Sequence, residues 1–303
     1  MHRKKLGTAT LASIAGLSLV GVSCGSASAA LEAFDSAQNY TATASQPNTW
    51  SATPANEGSG FGAWSSVVSQ PSGPDYAGTF LANKSSSSDS AIASANGYAW
   101  GFYANGANSN ASINMYRPFD VNPSGYQDPS GLGTLINQPF SIEMQSSSLV
   151  SSPANFGFNL QTGQGTSPTH TDITLKFVGG GSDMVLTDND GGNQTSTVSF
   201  ADLEGGIVAT VMVGGNPDGT NPYTITVTNV SGSTQYWTYS NYTLDPIQQV
   251  NMFLTGETVG GSNNDEFFND LQITPEPGSL ALFAMGGIGL MLRRRKSAYF
   301  IYV

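Results

Sequence analysis

Apolar and polar residues alternate with a period of two through most of the chain, turn-forming residues separate these runs, and no window of a dozen residues between the termini keeps a helical period. Together these observations predict an all-β protein. The expected architecture is an antiparallel β-sandwich of jelly-roll or lectin-like type, flanked by an N-terminal signal helix and a short C-terminal hydrophobic helix.

At the start, Arg3, Lys4 and Lys5 precede an apolar run from Leu11 to Val22 and a small-residue stretch from Cys24 to Ala30. This is the order of a secretory signal peptide, with cleavage expected after Ala29 or Ala30. The run is too short for an ordinary membrane span. A rival reading makes Cys24 the acylated residue of a lipoprotein, although Gly21-Val22-Ser23 lacks the usual leucine three positions upstream.

The body then reads as strands. Phe140, Ile142 and Met144 alternate with Ser141, Glu143 and Gln145; Phe156, Phe158 and Leu160 alternate with Gly157, Asn159 and Gln161. Ile173, Leu175 and Phe177 oppose Thr174 and Lys176, and Tyr223, Ile225 and Val227 oppose Thr224, Thr226 and Thr228. Each such strand has one face to bury and one to wet, the pattern of antiparallel sheets. Further strands are expected over 76–82, 98–103, 112–119, 184–187, 207–213, 235–242, 249–254 and 267–273. Asn105-Gly106, Pro123-Ser124-Gly125, Gly179-Gly180-Gly181, Asp190-Gly191-Gly192, the 214–219 segment and Ser231-Gly232 supply the reversals between them. Residues 47–59 and 84–89 are polar surface loops by composition. The expected division is a signal peptide at 1–29, one sandwich domain at 30–273, an apolar segment with a basic end at 274–296 and a tail at 297–303.

Charge narrows the partners. Residues 30 to 274 hold 20 acidic residues against only Lys84, Arg117 and Lys176, a formal −17. Such a surface repels phosphate backbones and anionic headgroups, so nucleic acid is excluded as a partner of the body, and so is peripheral membrane binding by it. Cys24 is the only cysteine, so the mature chain has no disulfide and depends on its core for stability.

Chemistry-bearing residues are sparse. His170 is the only histidine after the signal, so a His-based triad or a His-rich metal site would rest on it alone, and a satisfied or exposed loop histidine is the expected reading. Glu143 has no acidic neighbour at same-strand spacing. Asp188 with Asp190, and Glu266 with Asp270, would share a face if extended, although Gly191-Gly192 makes a turn the expected setting of the first pair. The protein is therefore expected not to be an enzyme, with no catalytic residues and no required cofactor. Calcium is an open alternative: the segments 188–193 and 261–266 gather oxygen ligands around glycine, which marks Asp188, Asp190 and Asp265 as candidate ligands, but the same residues are what turns require. Trp64, Trp100 and Tyr103 are candidate stacking surfaces for sugar rings, with core packing as the competing role.

At the other end, Pro275-Glu276-Pro277, an apolar run from Ser279 to Leu292 and the cluster Arg293, Arg294, Arg295 and Lys296 follow one another. This arrangement closely resembles the PEP-CTERM sorting signal of Gram-negative bacteria that make exopolysaccharide. The body is similar to a recurrent, functionally unassigned domain of such proteins at 34–40, 58–64, 100–105, 157–160 and 263–271. The resemblance implies a processing enzyme, an exosortase, for which Pro275, Glu276 and Pro277 are recognition elements. It also implies transient insertion of the apolar run in the inner membrane, with Arg293 to Lys296 on the cytoplasmic side. A permanent, marginal anchor is the alternative. The function expected is that of an exported cell-surface or extracellular-matrix protein with a structural role; the alternative is a lectin-like module for glycan or exopolysaccharide, with or without calcium, and more remotely a glycan-active enzyme.

Overall fold

The computed structural model describes residues 33–40, 57–70, 76–83, 91–93, 97–105, 111–120, 133–146, 154–189, 192–215, 221–243, 246–256 and 265–274. The signal peptide, the sorting segment beyond Thr274, the tail, most of the two polar loops and Asp190 lie outside them.

In chain order the elements are β1 (Ala33–Asp35), a 3-10 turn η1 (Ala37–Asn39), β2 (Ser65–Ser69), β3 (Tyr76–Asn83), β4 (Tyr98–Asn105), β5 (Ser112–Pro118), β6 (Gln138–Ser146), β7 (Asn155–Thr162) and β8 (His170–Val178). They continue with β9 (Asp183–Asp188), β10 (Gly192–Ser199), α1 (Phe200–Glu204), β11 (Ile207–Val213), β12 (Asn221–Asn229), β13 (Gln235–Thr243), β14 (Gln249–Thr255) and β15 (Glu266–Ile273). All pairings are antiparallel. One sheet runs β13-β12-β11-β6-β15-β4-β3, with β1 on β15; the other runs β10-β9-β8-β7-β14-β5-β2. The chain crosses between the sheets repeatedly, as a jelly roll does, so sequence neighbours such as β4 and β5 lie in opposite sheets and pack on each other across the core.

The alternation read from the sequence has its physical cause here. Phe140, Ile142 and Met144 of β6 are fully buried between the sheets, as are Phe156, Phe158 and Leu160 of β7, Ile173 and Leu175 of β8 and Ile225 and Val227 of β12. Aromatic rings bridge the layers, with Phe268 of β15 at 4.7 Å from Phe156 and 5.0 Å from Phe102 between centroids. One continuous core thus links both sheets without any cross-link.

Three strands and one helix escape the periodic signal. β10, Gly-Asn-Gln-Thr-Ser-Thr-Val-Ser, is an edge strand that is mostly exposed, so pairing with β9 rather than burial defines it. β1 and β2 are short and lie at sheet margins. Helix α1 lasts five residues and is fixed by a reciprocal capping box between Ser199 and Asp202. The β12–β13 hairpin turns at Gly232, whose φ of 67° favours glycine.

β15 departs from regular pairing. Asn269 stands opposite Glu143 and Gln272 opposite Ser141, so one extra residue is inserted between them, and Asp270 adopts φ 44°. Before this bulge the other edge of β15 pairs with β4; after it, that edge pairs with β1. Asn269 is fully buried at the change of partner. Its Oδ1 accepts from Ser36 Oγ (3.1 Å) and the Ala37 N–H (3.0 Å), and its Nδ2 donates to the carbonyls of Ile92 (2.6 Å) and Tyr98 (3.4 Å).

Candidate functional site

Three polar clusters stand out, and each joins residues distant in sequence. The first lies at the seam between the sheets. Asp35 ends β1 in one sheet and Arg117 lies near the end of β5 in the other; Arg117 Nη2 and Asp35 Oδ2 are 2.9 Å apart and both side chains are fully buried. Tyr40 donates its hydroxyl to Asp35 Oδ2 at 2.7 Å, Trp64 Nε1 donates to the same oxygen at 3.2 Å, and Asn39 Nδ2 donates to Oδ1 at 3.3 Å. Burial pushes the Asp35 carboxyl up, opposed by the Arg117 charge and these donors. The guanidinium lies over the rings of Trp64 (4.9 Å) and Phe61 (5.6 Å), and Trp64 and Tyr40 both pack edgewise on Trp100.

This cluster overturns two expectations. Trp64 and Trp100, read as candidate sugar-stacking surfaces, are 5% and 0% exposed, so neither offers a ring face to a ligand. Their rings are part of the packing around a buried ion pair. Tyr103, on β4, is half-buried beside Phe80. Segments distant in sequence meet in this region: Phe34 pairs with Ser59 through two backbone bonds of 2.9 Å, and Asn269 holds Ser36. Gly58 permits the contact, since a Cβ there would lie 2.6 Å from Asp35 Cβ.

The second cluster is a pair of carboxylates on the outer side of the first sheet. Glu143 of β6 had no acidic neighbour in sequence, and the β15 bulge brings Asp270 to it. Burial pushes the Glu143 carboxyl up to about 8, and the Asp270 charge acts in the same direction. Asp270 is also raised by burial, opposed by a hydrogen bond from Ser36. The anticipated pairing of Glu266 with Asp270 is not found, because the extra residue in β15 breaks their common face, and Glu266 is fully buried. Register and bulge together create the Glu143–Asp270 pair; no local spacing could have revealed it.

The third cluster sits where β9 of one sheet meets β12 and β13 of the other. Asp188 Oδ2 accepts hydrogen bonds from the Tyr223 hydroxyl and from Asn241 Nδ2 (2.8 Å). Tyr223 is buried, and its phenol is raised by burial and by Asp188. Tyr239 follows at 6.4 Å from Tyr223, and Trp237 lies at 5.6 Å from Tyr239 with planes 12° apart. Both outer rings are half-buried.

The candidate calcium ligands do not come together in what is described. Asp188 is buried and engaged by Tyr223 and Asn241, Asp190 lies outside the described residues, and Asp265 precedes β15 in the opposite sheet. Burial pushes the Asp265 carboxyl up to about 7. Among the described residues no group of three or more His, Cys, Asp and Glu side chains could hold a metal. His170 is exposed at the start of β8. Among the described residues no helix is long and apolar enough to cross a membrane.

Comparison with solved structures finds endo-β-1,4-glucuronan lyase from the fungus Trichoderma reesei, with a TM-score of 0.39 and 11% identity over 69% of this chain and 90% of that one. The exoplasmic/lumenal domain of VIP36, in its Ca2+/Man3GlcNAc-bound form, gives 0.40 and 6% over 70% and 82%. A family 7 alginate lyase in complex with product gives 0.38 and 10% over 60% and 81%. At such scores the likeness is loose and transfers neither ligand nor activity. No curated protein sequence matches the chain. Residues 274–296 match the PEP-CTERM protein-sorting motif, which marks the chain as an exported protein of the cell envelope that is handled by an exosortase-type enzyme.

Proposed function

We propose that the protein is a non-catalytic structural component of the cell surface or extracellular matrix, released there when its sorting segment is removed. The observation that supports this reading is the use of the polar side chains at the seam. Asp35 with Arg117, and Asp188 with Tyr223 and Asn241, bond to one another across the two sheets and hold a sandwich that has no disulfide. In this reading Pro275, Glu276 and Pro277 present the cleavage site, residues 279–292 lodge briefly in the inner membrane, and Arg293, Arg294, Arg295 and Lys296 stop transfer on the cytoplasmic side. The apolar run is shorter than the ~20 residues that span a bilayer comfortably, which suits a transient stay.

The test has two arms. Deleting the exosortase gene should leave the protein in the membrane fraction of the producing cell. Incubating the released protein with the host's exopolysaccharide should create no new reducing ends and no unsaturated uronate. Depolymerisation would contradict the non-catalytic reading.

A second reading, a glycan-binding module, draws support from the half-buried Trp237 and Tyr239 rings beside Asn241 and Asp188. Calcium belongs to neither reading as a requirement, and a comparison of binding with and without it decides that question.

A further inference from the structure

We propose that Trp237, Tyr239 and Asn241 form a binding platform for a neutral hexose polymer; the proposal rests on the glycan-binding reading and assigns its site. β13 is the last strand of its sheet, so these three alternate residues occupy the rim of the sandwich. Their cross-strand partners on β12 are Val227, Ile225 and Tyr223, all buried, which fixes the inner side of the aromatic pair against the core while leaving the rings part-exposed. The two rings are close to parallel, at 12°, and Tyr239 continues into Tyr223 and the Asp188 carboxylate. An apolar ring surface therefore ends in the Asn241 amide, whose Nδ2 is held by the buried Asp188.

That combination suits a pyranose. The C–H face of the sugar covers an aromatic ring, and its hydroxyls meet the fixed Asn241 amide at one end. An ammonium ligand fits less well, because near-parallel rings do not enclose a cation and Asp188 already serves two donors. Charge selects among glycans. The body carries a formal −17, and its two described Lys and Arg side chains lie elsewhere: Arg117 is buried with Asp35, and Lys176 is on the far sheet, on β8. With no basic side chain of this kind at the platform among the described residues, uronate and sulfate polymers are repelled.

The exported protein, isolated from the producing cell, should be run through gels containing dextran, laminarin or alginate, with intrinsic fluorescence followed during titration with neutral oligosaccharides. Retardation in a neutral gel, falling at least tenfold in Trp237→Ala and partly kept in Trp237→Phe, is the expected result. Fluorescence should respond in the native protein and lose that response in Trp237→Phe. If a neutral glycan binds and Trp237→Ala binds equally well while melting as native, the platform is wrong and the glycan-binding reading stands. If only alginate binds, the neutral assignment fails. If nothing binds, both the platform and the glycan-binding reading fail, and the structural reading is untouched. If Trp237→Ala does not fold, Tyr239→Ser and Asn241→Ala carry the same test, and unchanged binding in both overturns the proposal.

Discussion

Asp35 and Arg117 form a 2.9 Å ion pair with both side chains fully buried, and the pair ties β1 of one sheet to β5 of the other. Replacing Arg117 by Met leaves a buried carboxylate without its counter-charge, which costs about 3–5 kcal/mol. The expected result is a urea midpoint lowered accordingly at pH 7. Adding Asp35→Asn to Arg117→Met should recover part of the loss, since the stranded charge is gone. Equal stability of the single and double variants would show that the charge itself does not matter.

Asn269 closes the point where β15 exchanges β4 for β1, using four hydrogen bonds. Asn269→Ala strands several buried groups, each worth about 1–3 kcal/mol when left unmet. Hydrogen exchange should speed up selectively at the Ala37 amide, which loses its acceptor. Unchanged protection at Ala37 would mean that the N-terminal segment is held by its pairing alone.

The Glu143–Asp270 pair makes stability depend on pH with a defined sign. Burial and mutual repulsion raise the Glu143 carboxyl from an ordinary value near 4.5 to about 8, so the folded state binds a proton that the unfolded state releases across that window. The contribution is fully present below about pH 4.5 and disappears as pH rises through 8. Asp265, raised to about 7, acts in the same direction. Thermal melts should show Glu143→Gln gaining several degrees on the native protein at pH 8.5 and almost nothing at pH 4.5. A larger gain at the acid end would contradict the assignment.

Asp188 holds Tyr223 and Asn241 across the seam. Tyr223→Phe removes a donor to a buried carboxylate and should lower stability by about 1–3 kcal/mol. If Asp188 serves this contact and not a metal, calcium and a chelator should leave the melting temperature of the native protein equal. A calcium-dependent rise abolished by Asp188→Asn would establish the metal role instead.

How much of this was legible depends on what each residue's neighbours in sequence reveal. The strands containing Phe140, Ile142 and Met144, or Tyr223, Ile225 and Val227, were readable because each strand has one dry face and one wet face. β10 was not, because an exposed edge strand of Asn, Gln, Ser and Thr has no contrast between its faces. Trp64 and Trp100 stand out in the sequence with two roles open, and burial selects core packing over sugar stacking, since a Trp has the same signature over a core as over a sugar. Glu143 and Asp270 could not be paired from spacing, because their approach requires a strand register and a one-residue bulge. The sorting segment was the most legible feature. Its Pro-Glu-Pro, apolar and basic parts are contiguous, and the motif match falls on the same residues, 274–296.

Release of the sandwich at the cell surface requires that the sorting segment be removed. Intact mass spectrometry of the protein recovered from that surface tests it directly. Removal of the sorting segment gives a mature C-terminus near Pro275-Glu276-Pro277, with residues 279–303 gone; an intact chain ending at Val303 on the exported protein would rule it out.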